Sequence, residues 1–421
     1  MSTKSSVVIT GLGVVCPLGI GRAAVAESLA AARGGIRGIT EFELVGLPMK
    51  TAGIVENFDP LEFVKPRKTL KVLARDSQLA LAAASLARDD SRLTVEAIDP
   101  ERFGVVMGAE VIRNALAEVA EPFRACIEND EYDFARWGEK GLRVCFPLGM
   151  LKLLPNMPAC HISIAHDARG PNNSICLRET SSLSAISEAR RALERGAADA
   201  MMVGGTSSRV NAYDILRYGD LEELSSCDDP ERACRPFDTA RDGQVLGEGA
   251  AVLMLERRDF ARRREATVLA EIRGCGAACE PGRPGSPLRG TAVRQAVAHA
   301  LAEAGLEPAD IGFVSAHGLG LRRGDAIEAA ALAEVLPGCP VFAPKSYIGN
   351  LGGACGAVEA AIAVLNLQSG IVPPTIHCEN PDPECPITII RGRPQRLTTR
   401  RCVVVNYTSS GQAAALVLQG S

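Results

Sequence analysis

The sequence predicts an α/β fold, built by strands and helices that alternate along the chain. Two patterns point there. Short apolar runs led by β-branched residues recur, and alanine-rich runs of helical length separate them. The first strand is expected at residues 7–10, Val7-Val8-Ile9-Thr10, with a glycine-rich turn after it at Gly11 and Gly13. Alanine-rich helices at 23–32 and 77–87 follow, then a strand at 103–107. A helix at 182–195 leads to strands at 200–203, 251–255 and 268–272. The rest of the chain repeats the alternation, with helices at 292–304, 325–335 and 357–369 and strands at 312–316, 388–391 and 403–406. A seam is expected at Glu256-Arg257-Arg258, where a strand gives way to charge, and it divides the chain into halves 1–256 and 257–421. The first half carries an insertion-like stretch near 110–151, which includes the only tryptophan, Trp137. Such an excursion forms a lid, a pocket wall or a dimer contact, or simply packs as a loop.

The 421 residues suffice for two core-sized units, and 47% apolar with 23% charged residues fits a soluble globular protein. A formal net charge of -4 gives no global attraction to nucleic acid or to an anionic membrane. The 14 cysteines are scattered, with no CxxC pair or metal-ligand spacing, so reduced and mostly buried thiols of a cytoplasmic protein are expected. The opening segment, with Lys4 ahead of an apolar run, could pass for a signal peptide. Gly11, Gly13, Pro17 and Gly19 interrupt that run, which suits a strand better. No segment has the roughly 18 uninterrupted apolar residues of a membrane span.

Six motifs carry chemistry. They are Val8-Ile9-Thr10-Gly11-Leu12-Gly13; the run from Gly170 through Glu179 to Ser182; Arg235-Pro236-Phe237-Asp238 with Arg241-Asp242-Gly243 and Gly247-Glu248-Gly249; Ser315-Ala316-His317-Gly318-Leu319-Gly320 with Asp325 and Glu328; Lys345-Ser346-Tyr347-Ile348-Gly349-Asn350-Leu351-Gly352-Gly353 with Glu359; and the stretches 371–375 and 379–383. Together they span nearly the whole chain and resemble the β-ketoacyl synthases, the carbon–carbon bond-forming enzymes of fatty acid and polyketide synthesis. The resemblance implies a thiolase-like fold, two similar five-stranded βα halves in a five-layer α-β-α-β-α sandwich, and a dimer. It implies acyl carrier protein as partner and neither cofactor nor metal. His317 matches a family histidine that polarises a thioester carbonyl. Lys345 and Glu359 match a pair that organises the site, or only the scaffold. Asp325 and Glu328 match the acidic residues behind the histidine. The Arg235–Gly249 block reads as charged residues satisfying one another beside a close-packed glycine turn.

Four departures change the expected chemistry. Glu179 stands where the family carries a cysteine whose thiolate, favoured by a helix N-terminus, takes the acyl chain. A carboxylate is a poor nucleophile toward thioesters. Ionised, Glu179 could pair with a protonated His317 or act as a general base; protonated, it would resemble an acylated cysteine. Asn350 stands in place of the second histidine, and its amide can still donate to an enolate oxygen, as in the related type III synthases. Gln244 replaces an aromatic residue, and the loop 407–412 lacks the family's gating phenylalanine. Cys176, Thr180 and Ser181 are the alternative nucleophiles. The resemblance therefore supports a chain-length-factor-like partner of an active synthase, an enzyme of altered chemistry such as a malonyl decarboxylase, or a condensing enzyme with another nucleophile. A homodimer and a heterodimer both stay open. Lys65, Arg67, Lys68 and Lys71 form a basic cluster that would dock an acidic carrier protein, or a solvated face.

Overall fold

The computed structural model describes residues 6–113, 116–221, 223–281 and 288–421. Among the described residues the main sheet has twelve strands, and ten of them build its two halves. In the first half these are β1 (Val7–Cys16), β2 (Phe103–Gly108), β3 (Asn172–Ile175), β4 (Ala200–Ser208) and β5 (Glu248–Arg257). In the second half they are β6 (Ala270–Cys279), β7 (Phe313–Ser315), β8 (Pro340–Phe342), β9 (Arg401–Tyr407) and β10 (Gln412–Gly420). The spatial order is β3-β2-β4-β5-β1 in one half and β8-β7-β9-β10-β6 in the other. Numbered within each half, both read 3-2-4-5-1. The directions match as well: the first three strands in that order are parallel, and the last two pairings are antiparallel. The halves meet where β1 and β6 pair over Val7–Ile9 and Ala270–Ile272. Thr388–Ile389 adds a short strand beside β8.

Five layers result, held by three apolar cores. Helix α1 (Arg75–Ser91) covers the outer face of the first half, and α3 (Thr291–Ala304) with α4 (Arg322–Val335) covers that of the second. Between the two sheets lie α2 (Ser181–Glu194) and α5 (Cys355–Ser369). The strands alternate accordingly, since successive side chains point to opposite faces. Leu253 and Leu255 enter the central core while Val252 and Met254 enter the outer one. Val404 and Val403 divide in the same way in the second half. Because both faces are covered, the strands read as nearly continuous apolar runs. Every residue of α5 from Cys355 to Leu367 is buried, as an all-round apolar helix must be.

The sequence expectation differs from the structure in places. No glycine turn follows residue 10: β1 continues through Gly11 and Gly13 to Cys16. Their missing side chains let α1 lie against the strand, for a Cβ on Gly13 would overlap the Ala83 carbonyl oxygen. Strands β3 and β8 carry too few apolar residues to signal themselves. Strand β10 opens with Gln412 and three alanines, and it is recruited by pairing between β6 and β9 rather than by propensity. The stretch after residue 115 folds into helix Leu116–Arg124, a hairpin of Ile127–Glu128 with Glu131–Tyr132, and short turns. Its aromatic rings pack together, Phe123 lying 5.3 Å from Trp137 and 5.6 Å from Tyr132.

Gly13→Ala is expected to lower stability by about 1–3 kcal/mol, the range for overpacking a filled interior. Chemical denaturation of the two proteins checks this; equal midpoints would mean that α1 can move away from β1.

Candidate functional site

Equivalent corners of the two halves meet at one point. Glu179 lies in the turn Arg178–Thr180 between β3 and α2, and Asn350 lies between β8 and α5. The corner at 179 is tight: Arg178 sits in the left-handed region at φ 53. Ser181 Oγ accepts from the Leu177 N–H at 2.8 Å and donates to the Arg178 carbonyl at 2.6 Å, which fixes the entry into α2. His317 follows the end of β7, and carboxylates of α4 hold its loop. Glu328 accepts from the backbone N–H groups of His317 (2.6 Å) and Gly318 (2.8 Å). Asp325 accepts from those of Phe237, Leu319 and Gly320. Arg241 of the Arg-Asp-Gly motif reaches Asp382 at 2.6 Å and stands 3.8 Å from Asp325. Asp325 and Glu328 thus act on backbone, not on a reacting group. Burial pushes their carboxyls up, to about 6 and about 8, against the N–H groups that favour the anions.

The carboxylate of Glu179 is 2% exposed, and an arginine meets it. Arg209 Nη1 stands 2.8 Å from Glu179 Oε1, a close charge contact without hydrogen-bond alignment. Arg178 Nε stands 3.7 Å from Oε2. The other edge of Arg209 forks onto Glu110: Nε donates to Oε2 at 2.8 Å and Nη2 pairs with Oε1. Ser207 Oγ donates to Glu110 at 2.9 Å, and the guanidinium lies 4.5 Å from the centre of the Tyr218 ring. Burial by itself would raise the Glu179 carboxyl, but Arg209 and Arg178 outweigh it and hold the group well below the usual carboxylate range. The expected pairing of Glu179 with a protonated His317 is therefore corrected. Burial and the neighbouring Lys345 push His317 well below its ordinary value. The imidazole is neutral, and Arg209 supplies the countercharge. Arg209 and Glu110 escaped the sequence reading. The available signal was an arginine at the end of an otherwise small and apolar strand.

Around His317 the residues matched by sequence come together. Lys345 Nζ lies 3.1 Å and Asn406 Nδ2 3.2 Å from His317 Nδ1. Both are donors, so Nδ1 accepts and the proton sits on Nε2. Lys345 pairs with Glu359, which also accepts from Asn406 at 2.6 Å. His317 Nε2 is buried with no hydrogen-bond partner among the described residues. Asn350 is the opposite case. Its Nδ2 donates to Gln244 at 2.6 Å and to Glu179 at 3.3 Å. Its Oδ1 accepts from the Gly352 N–H at 3.0 Å and the Cys355 thiol at 3.2 Å. Both amide protons are engaged, so Asn350 presents no free donor to an oxyanion.

The other candidate nucleophiles stand apart. Cys176 is exposed, on the wall of a cavity of about 140 Å³ with Arg178, Arg209 and Tyr218. Thr180 donates to the Leu177 carbonyl, and Ser181 is held in the turn already described.

Comparison with known proteins agrees with this architecture. The β-ketoacyl synthase N-terminal domain model matches residues 4–261, and the C-terminal domain model matches 269–379. The chain belongs to the β-ketoacyl synthase family. It is 31% identical to the 3-oxoacyl-[acyl-carrier-protein] synthase 2 of Staphylococcus aureus, over 100% of this chain and 99% of that protein. A β-ketoacyl synthase from Burkholderia phymatum STM815 superposes with a TM-score of 0.88 at 29% identity, covering 99% of this chain and 100% of that one. The ishigamide ketosynthase/chain length factor does so with a TM-score of 0.88 at 27% identity, covering 100% of each chain. The thiolase-like fold of β-ketoacyl synthases is thus present throughout. No helix among the described residues is long and apolar enough to cross a membrane.

Arg209→Met should cost about 3–5 kcal/mol, because it strands the buried Glu179 and the partly buried Glu110. Replacing all three groups together, E110L/R209M/E179L, should recover most of that loss; denaturation midpoints measure both. His317 should stay neutral where an ordinary histidine titrates and carry its proton on Nε2, which nitrogen NMR of the imidazole reads directly.

Proposed function

We propose that this β-ketoacyl synthase homologue does not condense acyl chains itself and instead serves as the partner subunit of an active synthase, influencing chain length or initiation. One observation supports the reading: the buried carboxylate of Glu179, which the motif resemblance matches to the family's nucleophile, is paired to Arg209 and Asn350. An ion-paired carboxylate attacks a thioester poorly, and any mixed anhydride it formed would hydrolyse. Asn350, engaged by Gln244 and Glu179, removes a second requirement, the paired donors for a developing enolate. The likeness to a ketosynthase/chain length factor structure accords with a partner role. Acyl carrier protein is the natural carrier of the substrate, and the exposed Lys65, Arg67, Lys68 and Lys71 offer a basic face for its acidic surface.

A second reading has one observation in its favour. The unpartnered Nε2–H of His317 is positioned to stabilise an enolate, as malonyl decarboxylation requires. The charge on Glu179 opposes it, since two carboxylates close together repel. General-base catalysis by Glu179 fares no better, because a carboxylate held so far below its ordinary range is a weak base.

The test is co-expression with a Cys-His-His synthase from the same gene neighbourhood. An equimolar heterodimer is expected, with a product-length distribution different from that of the synthase alone. The protein by itself should gain no acyl group from acyl carrier protein by mass spectrometry and release no carbon dioxide from malonyl carrier protein. A stable homodimer that ignores every such synthase would overturn the partner reading. Carbon dioxide release abolished by His317→Ala would establish the second.

A further inference from the structure

We propose that Glu110 and Arg209 form a charged plug that walls off position 179 from the adjoining cavity and so limits the length of acyl chain any nucleophile there could carry. This deepens the reading above, because it rests on Glu179 occupying the nucleophile's place.

The cavity of about 140 Å³ is lined by Glu110, Cys176, Arg178, Ser207, Arg209 and Tyr218, among others. Arg209 contacts both this space and Glu179, so its guanidinium is the partition between them. The partition has little slack. Gly352, at φ 54, lies directly beneath it: a Cβ there would overlap Glu110 Oε2 and approach Arg209 Nε to 2.5 Å. On the other side, the Tyr218 ring lies 4.5 Å from the guanidinium. Ser207 fixes Glu110 from a third direction. To let an alkyl chain pass, Arg209 would have to leave two carboxylates at once, the buried Glu179 and the partly buried Glu110, and each would lose its nearest counterion. A chain extending from position 179 toward this cavity would meet the fork first. A short acyl group need not displace it.

Installing a thiol at 179 makes the idea measurable. In Glu179→Cys the thiolate attacks an acyl thioester. A new carbon–sulfur bond forms, the bond to the carrier sulfur breaks, and the carrier leaves as a thiolate that takes a proton from water. E179C should accept an acetyl group from acetyl-carrier protein, yet take a dodecanoyl group at least about tenfold more slowly. E110L/R209M/E179C should take both at similar rates, since apolar residues of like volume often replace buried ion pairs without loss of folding. The same variants report charge through the pH profile of iodoacetamide alkylation. The profile should rise by about one pH unit when Arg209 is removed, because a neighbouring cation favours the thiolate. Should the apolar pair fail to fold, E110Q/R209Q/E179C removes the charge and keeps polar contacts; its alkylation profile must still rise.

Equal acceptance of dodecanoyl and acetyl groups by E179C would overturn the plug. So would an alkylation profile indifferent to Arg209. Neither readout uses a partner synthase. A failure here leaves the partner role standing, and a failure to form a heterodimer leaves the plug standing.

Discussion

Two sheets can share a single helical layer only if that layer is apolar on every side, and this constraint organises the molecule. Helix α5 meets it almost completely, with alanine, valine, isoleucine and leucine facing both halves. Where it approaches its neighbour most closely it needs Gly356, since a Cβ there would overlap Leu183 and stand 2.7 Å from Asn406. The two central helices cannot slide or tilt without opening the core. Their N-terminal corners are therefore fixed relative to each other, and those corners hold Glu179 and Asn350. The accuracy of the site is a product of packing far from it.

On that rigid support the polar groups divide into two clusters of opposite character. Around His317, Lys345, Glu359 and Asn406, the hydrogen bonds converge on one ring nitrogen and leave the other free. Around Glu179, Arg209, Glu110, Asn350 and Gln244, nearly every donor and acceptor is already answered within the protein. A site that carries out chemistry needs groups left unanswered until substrate arrives. The first cluster has that property and the second lacks it, so the proposed loss of reactivity is confined to the corners at 179 and 350.

Much of the architecture was legible in the sequence, for a physical reason: buried strands and helices must be apolar, and 200–203, 251–255 and 357–369 are. Strands β3 and β8 were not legible, because such short strands gain their pairing from neighbours rather than from side chains. Gly11 and Gly13 misled in the opposite direction, since glycine marks a turn locally but a close helix–strand approach globally. At the site, the motifs located His317, Lys345, Glu359, Asn350 and Glu179, since each lies in a distinctive run. Arg209 had no such run. Its meaning depends on Glu110, 99 positions away in sequence, and a contact of that range leaves no local trace.

The bare backbone at Gly352 carries a consequence for how such a site evolves. The forked arginine, its two acids and that glycine fit only as a set. Losing the arginine strands two charges, losing either acid leaves it half-matched, and gaining a side chain at 352 expels the fork. No single substitution leads smoothly back to a reactive thiol with a long tunnel. Among relatives that keep the glutamate, the four positions should be inherited together or lost together.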